Sequence, residues 1–142
     1  MRIVVFGPEK RVGSWEGDEI VDLHRASAKY LGERQGELQP YEMAAALVPP
    51  NLRAFIEGGA RALDHAQQAV EYLTKQAGDR TGLRGEPLVF AVGTVKLHPP
   101  IANPGSPIAC MGTNYMGHSA ANRARAGDMR SDAEVLATLR GE

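Results

Sequence analysis

Prolines interrupt the stretch from residue 99 to residue 107 at four positions, and this stretch limits the fold of the chain more than any other. Because proline fixes φ and lacks a backbone N–H group, no regular helix passes through it. Residues 107–111 then form a mostly apolar run of strand length, and residues 112–114 supply a turn and a helix N-cap. The sequence therefore predicts a strand-to-helix junction, with His118 near the first turn of the helix.

The rest of the sequence predicts a small domain of the α+β class. Strands are predicted at residues 2–6, 14–23, 87–92 and 95–97, with a turn at 8–13. Gly17 and Asp18 mark a bend or a hairpin within the second of these segments. The last two strands are expected to close the sheet of the domain.

Helices are predicted at residues 24–31, at 41–47 and along the stretch from 51 to 76. Gly32 and Gly36 are predicted to break the first helix, and the glycine pair at 58–59 to kink or split the last one. Asn51 is a good N-cap for that last helix. Its predicted buried face consists of apolar residues at helical spacing: Leu52, Phe55, Ile56, Leu63, Ala66, Val70 and Leu73.

Composition narrows the class of protein. The 142 residues suit one domain, and the formal net charge is -1. This balance argues against a nucleic-acid partner, which normally needs a concentrated basic surface. The sequence has no signal-peptide pattern and no apolar segment long enough to span a membrane. A single cysteine cannot form an internal disulfide, so we expect a cytoplasmic protein with no membrane partner.

One pattern of residues resembles a known protein family. It consists of Leu97, Pro99 and Pro100, the apolar run at 108–111, then Gly112, Asn114, Tyr115 and His118. In order and spacing, with the last four residues forming a G-x-N-Y-x-x-H motif, this pattern resembles the fumarylacetoacetate hydrolase family. The resemblance covers about 28 residues, from Val95 to Asn122. It implies a small amino-terminal domain at residues 1–97, a proline-rich connector at 98–106, and at 107–142 the start of a mixed β catalytic domain whose remainder this chain lacks.

The resemblance also implies an enzymatic role for the parent protein. In the family, a metal-dependent enzyme cleaves a carbon–carbon bond of a β-diketone or 2-keto acid, or carries out a related decarboxylation, isomerisation or hydration. His118 matches the catalytic base, and its ordinary pKa near neutrality suits that work. Asn114 and Tyr115 line the substrate pocket or serve as architecture. The family's catalytic domain also implies a homodimer formed through that domain.

A divalent cation, Mg²⁺, Mn²⁺ or Ca²⁺, is the cofactor implied for the parent, because hard oxygen ligands favour these ions. The family holds it with carboxylates that include a Glu-x-Glu pair, and this sequence contains no such pair. The nearest substitutes lie at residues 16–18 and 132–134. The first pattern is typical of a hairpin turn, and the second is part of a helix capping box that begins at Ser131. We therefore expect this chain to bind no metal and to be inactive alone.

Two positions depart from the family pattern. Ala121 replaces the glutamate that commonly follows the histidine, and Met111 stands where one branch has a metal-binding aspartate. Asp128, Glu134 or a carboxylate outside this chain could orient His118 instead. Alternatively, the parent has lost hydrolytic power and performs related chemistry on a keto acid. A non-catalytic docking or oligomerisation module is the second function that the sequence allows.

Overall fold

The computed structural model describes residues 1–75, 78–100, 122–124 and 126–140. The chain divides into two compact units, Met1–Pro104 and Gly105–Glu142. The predicted connector at 98–106 and the assignment of residues 107–142 to a catalytic domain stay predictions.

The first unit contains a five-stranded antiparallel sheet, and the predicted α+β class is confirmed. Its strands are β1 (Arg2–Phe6), β2 (Arg11–Glu16), β3 (Glu19–Asp22), β4 (Val89–Ala91) and β5 (Leu97–His98). Their spatial order is β4-β3-β2-β1-β5, and every neighbouring pair is antiparallel. The two late strands belong to this sheet, as predicted, and each lies at one of its edges. A 3₁₀ turn at Val92–Thr94 makes β4 shorter than expected.

Strands β2 and β3 form the hairpin predicted at Gly17, whose φ of 59° suits glycine. The predicted turn at 8–13 was too long, because β2 begins at Arg11 and Val12 pairs with Val5. Val12 is completely buried, so burying this side chain favours extending the strand.

The helices of the first unit follow β3 directly. They are α1 (Leu23–Gln35), α2 (Pro40–Leu47), α3 (Leu52–Glu57) and α4 (Gly59–Lys75). Helix α1 packs against α2, α4, β2 and β3. The largest core cluster joins strand and helix side chains: Val12, Leu23, Val48, Phe55, Ala62 and Ala66.

Helix α1 runs through Gly32, so the predicted break at that residue was wrong. A glycine inside a helix costs only about 0.5–1 kcal/mol relative to alanine. Burial of Ala28 and Leu31 in the same turns outweighs that cost. The helix ends at Gly36, which adopts a left-handed φ of 69° and donates its backbone N–H to the Leu31 carbonyl.

Substitution by alanine should have opposite effects on stability at Gly32, inside α1, and at Gly36, which caps it. Gly36→Ala is expected to cost about 1–2 kcal/mol of unfolding free energy, because a Cβ strains a left-handed residue. Gly32→Ala is expected to leave stability unchanged or raise it by up to about 1 kcal/mol. Its new Cβ would approach Leu83 Cδ1 at 2.9 Å, and Leu83 is 40% exposed and can shift. Urea unfolding of both variants measures the difference, and equal losses would contradict this account.

The predicted split at Gly58 and Gly59 is confirmed, and so is the N-cap, since Asn51 Oδ1 accepts from Ala54 N–H at 3.2 Å. Part of the predicted buried face is wrong: Ile56 is 58% exposed and Leu63 is 39% exposed. Because α3 and α4 are separate helices, one apolar stripe cannot continue through both. Helix α4 instead buries a stripe of mostly small residues: Ala62, Ala66, Ala69 and Leu73.

In the second unit, residues 122–124 are helical and a further helix, α5, spans Asp132–Arg140. The capping box predicted before α5 is confirmed. Ser131 N–H donates to Glu134 Oε2 at 2.6 Å, and Glu134 N–H donates to Ser131 Oγ at 3.3 Å. None of the helices found among the described residues has the length and apolar character needed to cross a bilayer.

Candidate functional site

The residues predicted to form the catalytic site, Asn114, Tyr115 and His118, lie outside the described residues. Ala121 and Met111 lie outside them as well. The roles assigned to these positions therefore stay predictions.

The two carboxylates considered as partners for His118 both have local partners. Asp128 accepts three hydrogen bonds from the Arg130 guanidinium, at 2.6 to 3.1 Å, and these bonds lower the pKa of Asp128 to about 2. Glu134 accepts from the Ser131 hydroxyl and N–H, and these bonds lower its pKa. Both side chains are therefore engaged in holding the start of α5 and the turn before it.

The arrangement of possible ligand side chains bears on the divalent cation that the family resemblance implies. Over residues 1–75, 78–100, 122–124 and 126–140, no group of three or more His, Cys, Asp or Glu side chains converges so as to hold a metal ion. Glu16 and Asp18, the nearest substitutes for a Glu-x-Glu pair in this part of the chain, lie at the β2–β3 hairpin, and the Ser14 hydroxyl donates to Glu16.

A polar cleft in the first unit is the clearest candidate site that the structure does describe. It has a volume of about 350 Å³ and is lined by Arg11, His24, Arg25, Tyr41, Arg84 and Glu86. The first turn of α1, the start of β2, the start of α2 and the loop before β4 each contribute to it. The sequence does not indicate this cleft, because the residues that line it have no regular spacing.

One wall of the cleft rests on a buried ion pair. Arg11 donates from Nε to Asp22 Oδ2 at 2.6 Å and from Nη2 to Oδ1 at 3.0 Å, a bidentate arrangement. Burial alone would lower the pKa of Arg11, but the hydrogen bonds and charge of Asp22 outweigh burial, and the pKa is raised. Asp22 also caps α1 by accepting from Arg25 N–H at 3.1 Å. The ion pair thus fixes the start of α1 against β2.

Another part of the cleft lining is built around Tyr41. Its hydroxyl donates to Glu86 Oε1, and the Arg84 guanidinium lies over its ring, 4.0 Å from the centroid. Glu86 Oε2 accepts the Arg84 backbone N–H at 3.0 Å. Burial raises the pKa of Tyr41, and the bond to Glu86 adds to this, to about 12. Burial would raise the pKa of Glu86 too, but the bond from Tyr41 opposes it and the pKa is lowered, so Glu86 is ionised at neutral pH.

The histidine of the cleft is held as a neutral side chain. His24 Nδ1 lies 3.1 Å from the Val48 carbonyl oxygen, which accepts its proton and fixes the tautomer. Burial lowers the pKa of His24 more than the hydrogen bond to Val48 raises it. The ring centroid lies 6.5 Å from that of Tyr41. His24 therefore contributes a polar but uncharged surface to a cleft whose cations are arginines.

The Tyr41–Glu86 bond predicts a pH dependence of stability. Unfolded tyrosine loses its proton near pH 10, whereas folded Tyr41 keeps it until about pH 12. The unfolded state therefore binds fewer protons in this window, and the unfolding free energy should fall as pH rises through it. Tyr41→Phe should lose less stability between about pH 9 and about pH 11 than the parent chain. Urea unfolding at the two pH values measures this, and identical slopes would contradict it.

The chain is similar to a curated protein, oxaloacetate tautomerase YisK of Bacillus subtilis (strain 168), at 30% identity over 104 residues. The match spans 73% of this chain but only 29% of the relative's length. No family model matches the chain, and no solved structure matches it either. The similarity to this tautomerase supports the resemblance to the fumarylacetoacetate hydrolase superfamily that the motif ending at His118 indicates.

Proposed function

We propose that this chain is the amino-terminal part of an enzyme of the fumarylacetoacetate hydrolase type that acts on a 2-keto acid or a β-diketone. The observation that carries the proposal is the 30% identity to oxaloacetate tautomerase YisK. The motif of Gly112, Asn114, Tyr115 and His118 supports it from within this sequence. Oxaloacetate is the first substrate to test, since it is named for the relative.

Isomerisation is the reaction that we favour. Interconverting an enol and a ketone moves one proton between the oxygen and the carbon beside the carbonyl group, while the double bond shifts between C=C and C=O, so it needs a positioned acid–base group but no attacking water. His118 is proposed to be that group, because an imidazole gives and accepts a proton near neutral pH. Ala121 removes the carboxylate that would help the histidine to polarise water. Hydrolysis of a carbon–carbon bond, decarboxylation and hydration are the other reactions to assay.

A divalent cation, Mg²⁺, Mn²⁺ or Ca²⁺, is proposed for the whole enzyme. Such an ion stabilises negative charge on an enolate oxygen. Its ligands are proposed to lie outside this chain, because the sequence has no Glu-x-Glu pair and the described part of it brings no set of ligands together. The 142-residue chain is therefore proposed to be inactive alone. The whole enzyme is proposed to form a homodimer through its catalytic domain.

The test transplants this chain into a complete enzyme. A chimera in which it replaces the corresponding segment of YisK is assayed for oxaloacetate tautomerisation with Mg²⁺ or Mn²⁺, beside unmodified YisK and the 142-residue chain. We expect activity in the chimera and none in the chain alone. His118→Ala in the chimera should lower kcat by at least about a hundredfold, because it removes the proton carrier. Acylpyruvate is assayed in parallel for carbon–carbon cleavage.

Circular dichroism and gel filtration must first show that the chimera and its His118→Ala variant are folded. A folded chimera whose activity is unchanged by the substitution would remove His118 from the mechanism. A folded chimera inactive on every keto acid and diketone tested would contradict the enzymatic proposal.

A docking module is the second candidate, and exposed apolar side chains favour it. Leu38 is 93% exposed and Ile56 is 58% exposed on the first unit, which would leave apolar surface for a partner chain. This reading predicts that the chain self-associates or binds a partner through exposed side chains such as these. Light scattering of the parent chain and of the Leu38→Ser/Ile56→Ser variant tests for self-association. A parent chain that is monomeric at all concentrations would count against it.

A further inference from the structure

We propose that the polar cleft of the first unit binds a small carboxylate anion through the guanidinium groups of Arg25 and Arg84. The proposal does not rest on the proposed enzymatic function or on His118. It rests on the hydrogen bonds that each arginine of the cleft already donates, on the Glu9 carboxylate beside Arg11 and Arg25, and on the volume of the cleft.

The cleft contains three guanidinium groups, and they differ in how many hydrogen bonds they donate to the protein. Arg11 donates to Asp22 at 2.6 and 3.0 Å and to Glu9 at 3.4 Å. Arg25 approaches carboxylate oxygens of Glu9 and Asp22 only at 3.6 and 3.7 Å, beyond hydrogen-bond distance. Arg84 stacks on Tyr41 and donates no side-chain hydrogen bond within the described residues. Arg25 and Arg84 therefore retain donors for a ligand.

The negative charges near the cleft are already partly neutralised. Asp22 is fully buried and paired with Arg11. Glu86 accepts from the Tyr41 hydroxyl and from the Arg84 backbone N–H. Arg11, Arg25 and Arg84 carry three formal positive charges, and Asp22, Glu86 and Glu9 carry three negative ones, so one positive charge is left over when the exposed Glu9 side chain moves away from Arg25. This excess favours a small anion over a cation, and His24 and Tyr41 add polar, uncharged walls.

A carboxylate of the protein itself already lies against two of the three arginines, from the side of a neighbouring cavity. Glu9 Oε2 is 3.4 Å from Arg11 Nη1 and 3.6 Å from Arg25 Nη2. The Glu9 side chain is 62% exposed, and ion pairs this exposed contribute little to stability. A ligand carboxylate can therefore displace it at small cost. Glu9 shows that a carboxylate fits beside Arg11 and Arg25, and the cleft volume of about 350 Å³ limits the ligand to a small molecule.

The test uses malonate as the probe and malonamide as its uncharged match. Binding to the 142-residue chain is followed by NMR, through the shifts of the arginine Nε–H groups and of the His24 ring. We expect saturable shifts with millimolar malonate and none with malonamide. Arg25→Gln and Arg84→Gln should each weaken binding about tenfold, because each removes a charge-assisted contact. Arg53→Gln, on the exposed face of α3, is the matched control and should leave binding unchanged.

Arg84 lies in an exposed loop, so its substitution does not endanger the fold if Arg25→Gln fails to fold. Malonate binding that survives both substitutions would overturn the proposal, and so would the absence of saturable shifts. Tighter binding of inorganic phosphate than of malonate would overturn the assignment of a carboxylate ligand. Because neither variant touches the motif ending at His118, failure here leaves the proposed enzymatic function standing.

Discussion

Asp22→Ala is expected to lower the unfolding free energy by about 3–5 kcal/mol, one of the largest effects of any single substitution in the described fold. Asp22 is fully buried, holds Arg11 through two hydrogen bonds and caps α1 through Arg25 N–H. Alanine removes all three acceptor contacts and leaves the Arg11 cation, with 16% of its side chain exposed, without a buried partner. Urea unfolding followed by circular dichroism measures the loss.

Two further variants separate the ion pair from the helix cap. Asp22→Asn keeps an oxygen that can accept from Arg25 N–H but loses the charge, so its loss should be smaller than that of Asp22→Ala. The double variant Arg11→Met/Asp22→Ala should recover part of the loss, because no unpaired charge remains. If the double variant is no more stable than Asp22→Ala, the unpaired arginine is not the cause.

Phe55→Ala is expected to lower the unfolding free energy by about 3–5 kcal/mol, whereas Ile56→Ala should change it by less than about 0.5 kcal/mol. The two residues are adjacent on α3, but Phe55 is 5% exposed and joins the largest core cluster, while Ile56 is 58% exposed. Truncating Phe55 leaves a cavity between the helices and β2. Truncating Ile56 removes surface that water already contacts.

This pair tests how α3 faces the core, because both residues were predicted to be buried. Thermal and urea unfolding of the two variants give the comparison. A large loss from Ile56→Ala would show that α3 is rotated in solution relative to the orientation described here. Retained stability in Phe55→Ala would show that the helix does not belong to the core.

Local sequence signals predicted the individual elements better than their orientation. The hairpin at Gly17, the N-cap at Asn51 and the capping box at Ser131 each depend on a few neighbouring residues, and all three are confirmed. The continuation of α1 through Gly32 depends on what the flanking turns bury, which is not visible in the local sequence. The exposure of Ile56 depends on the change of direction at the helix split.

The arginine-lined cleft could not be predicted for the same reason. Arg11, Arg25 and Arg84 lie far apart in the sequence, and only the pairing of the sheet and the packing of α1 bring them together. A motif search finds groups at fixed spacing, such as the residues ending at His118, and it passes over sites assembled by topology. The catalytic hypothesis therefore rests on a local motif and on the similarity to YisK, whereas the anion-binding hypothesis rests on the fold.

The order of strands in the sheet affects how the first unit folds during synthesis. Strand β1, at the start of the chain, has one neighbour at Arg11–Glu16 and its other neighbour at Leu97–His98. During synthesis the hairpins of β1, β2 and β3 can form as soon as they leave the ribosome, but both edges of the sheet wait for the segment after α4. Pairings this distant slow the closing step of folding. A nascent chain halted before residue 89 would therefore expose both edges of its three-stranded sheet to other chains.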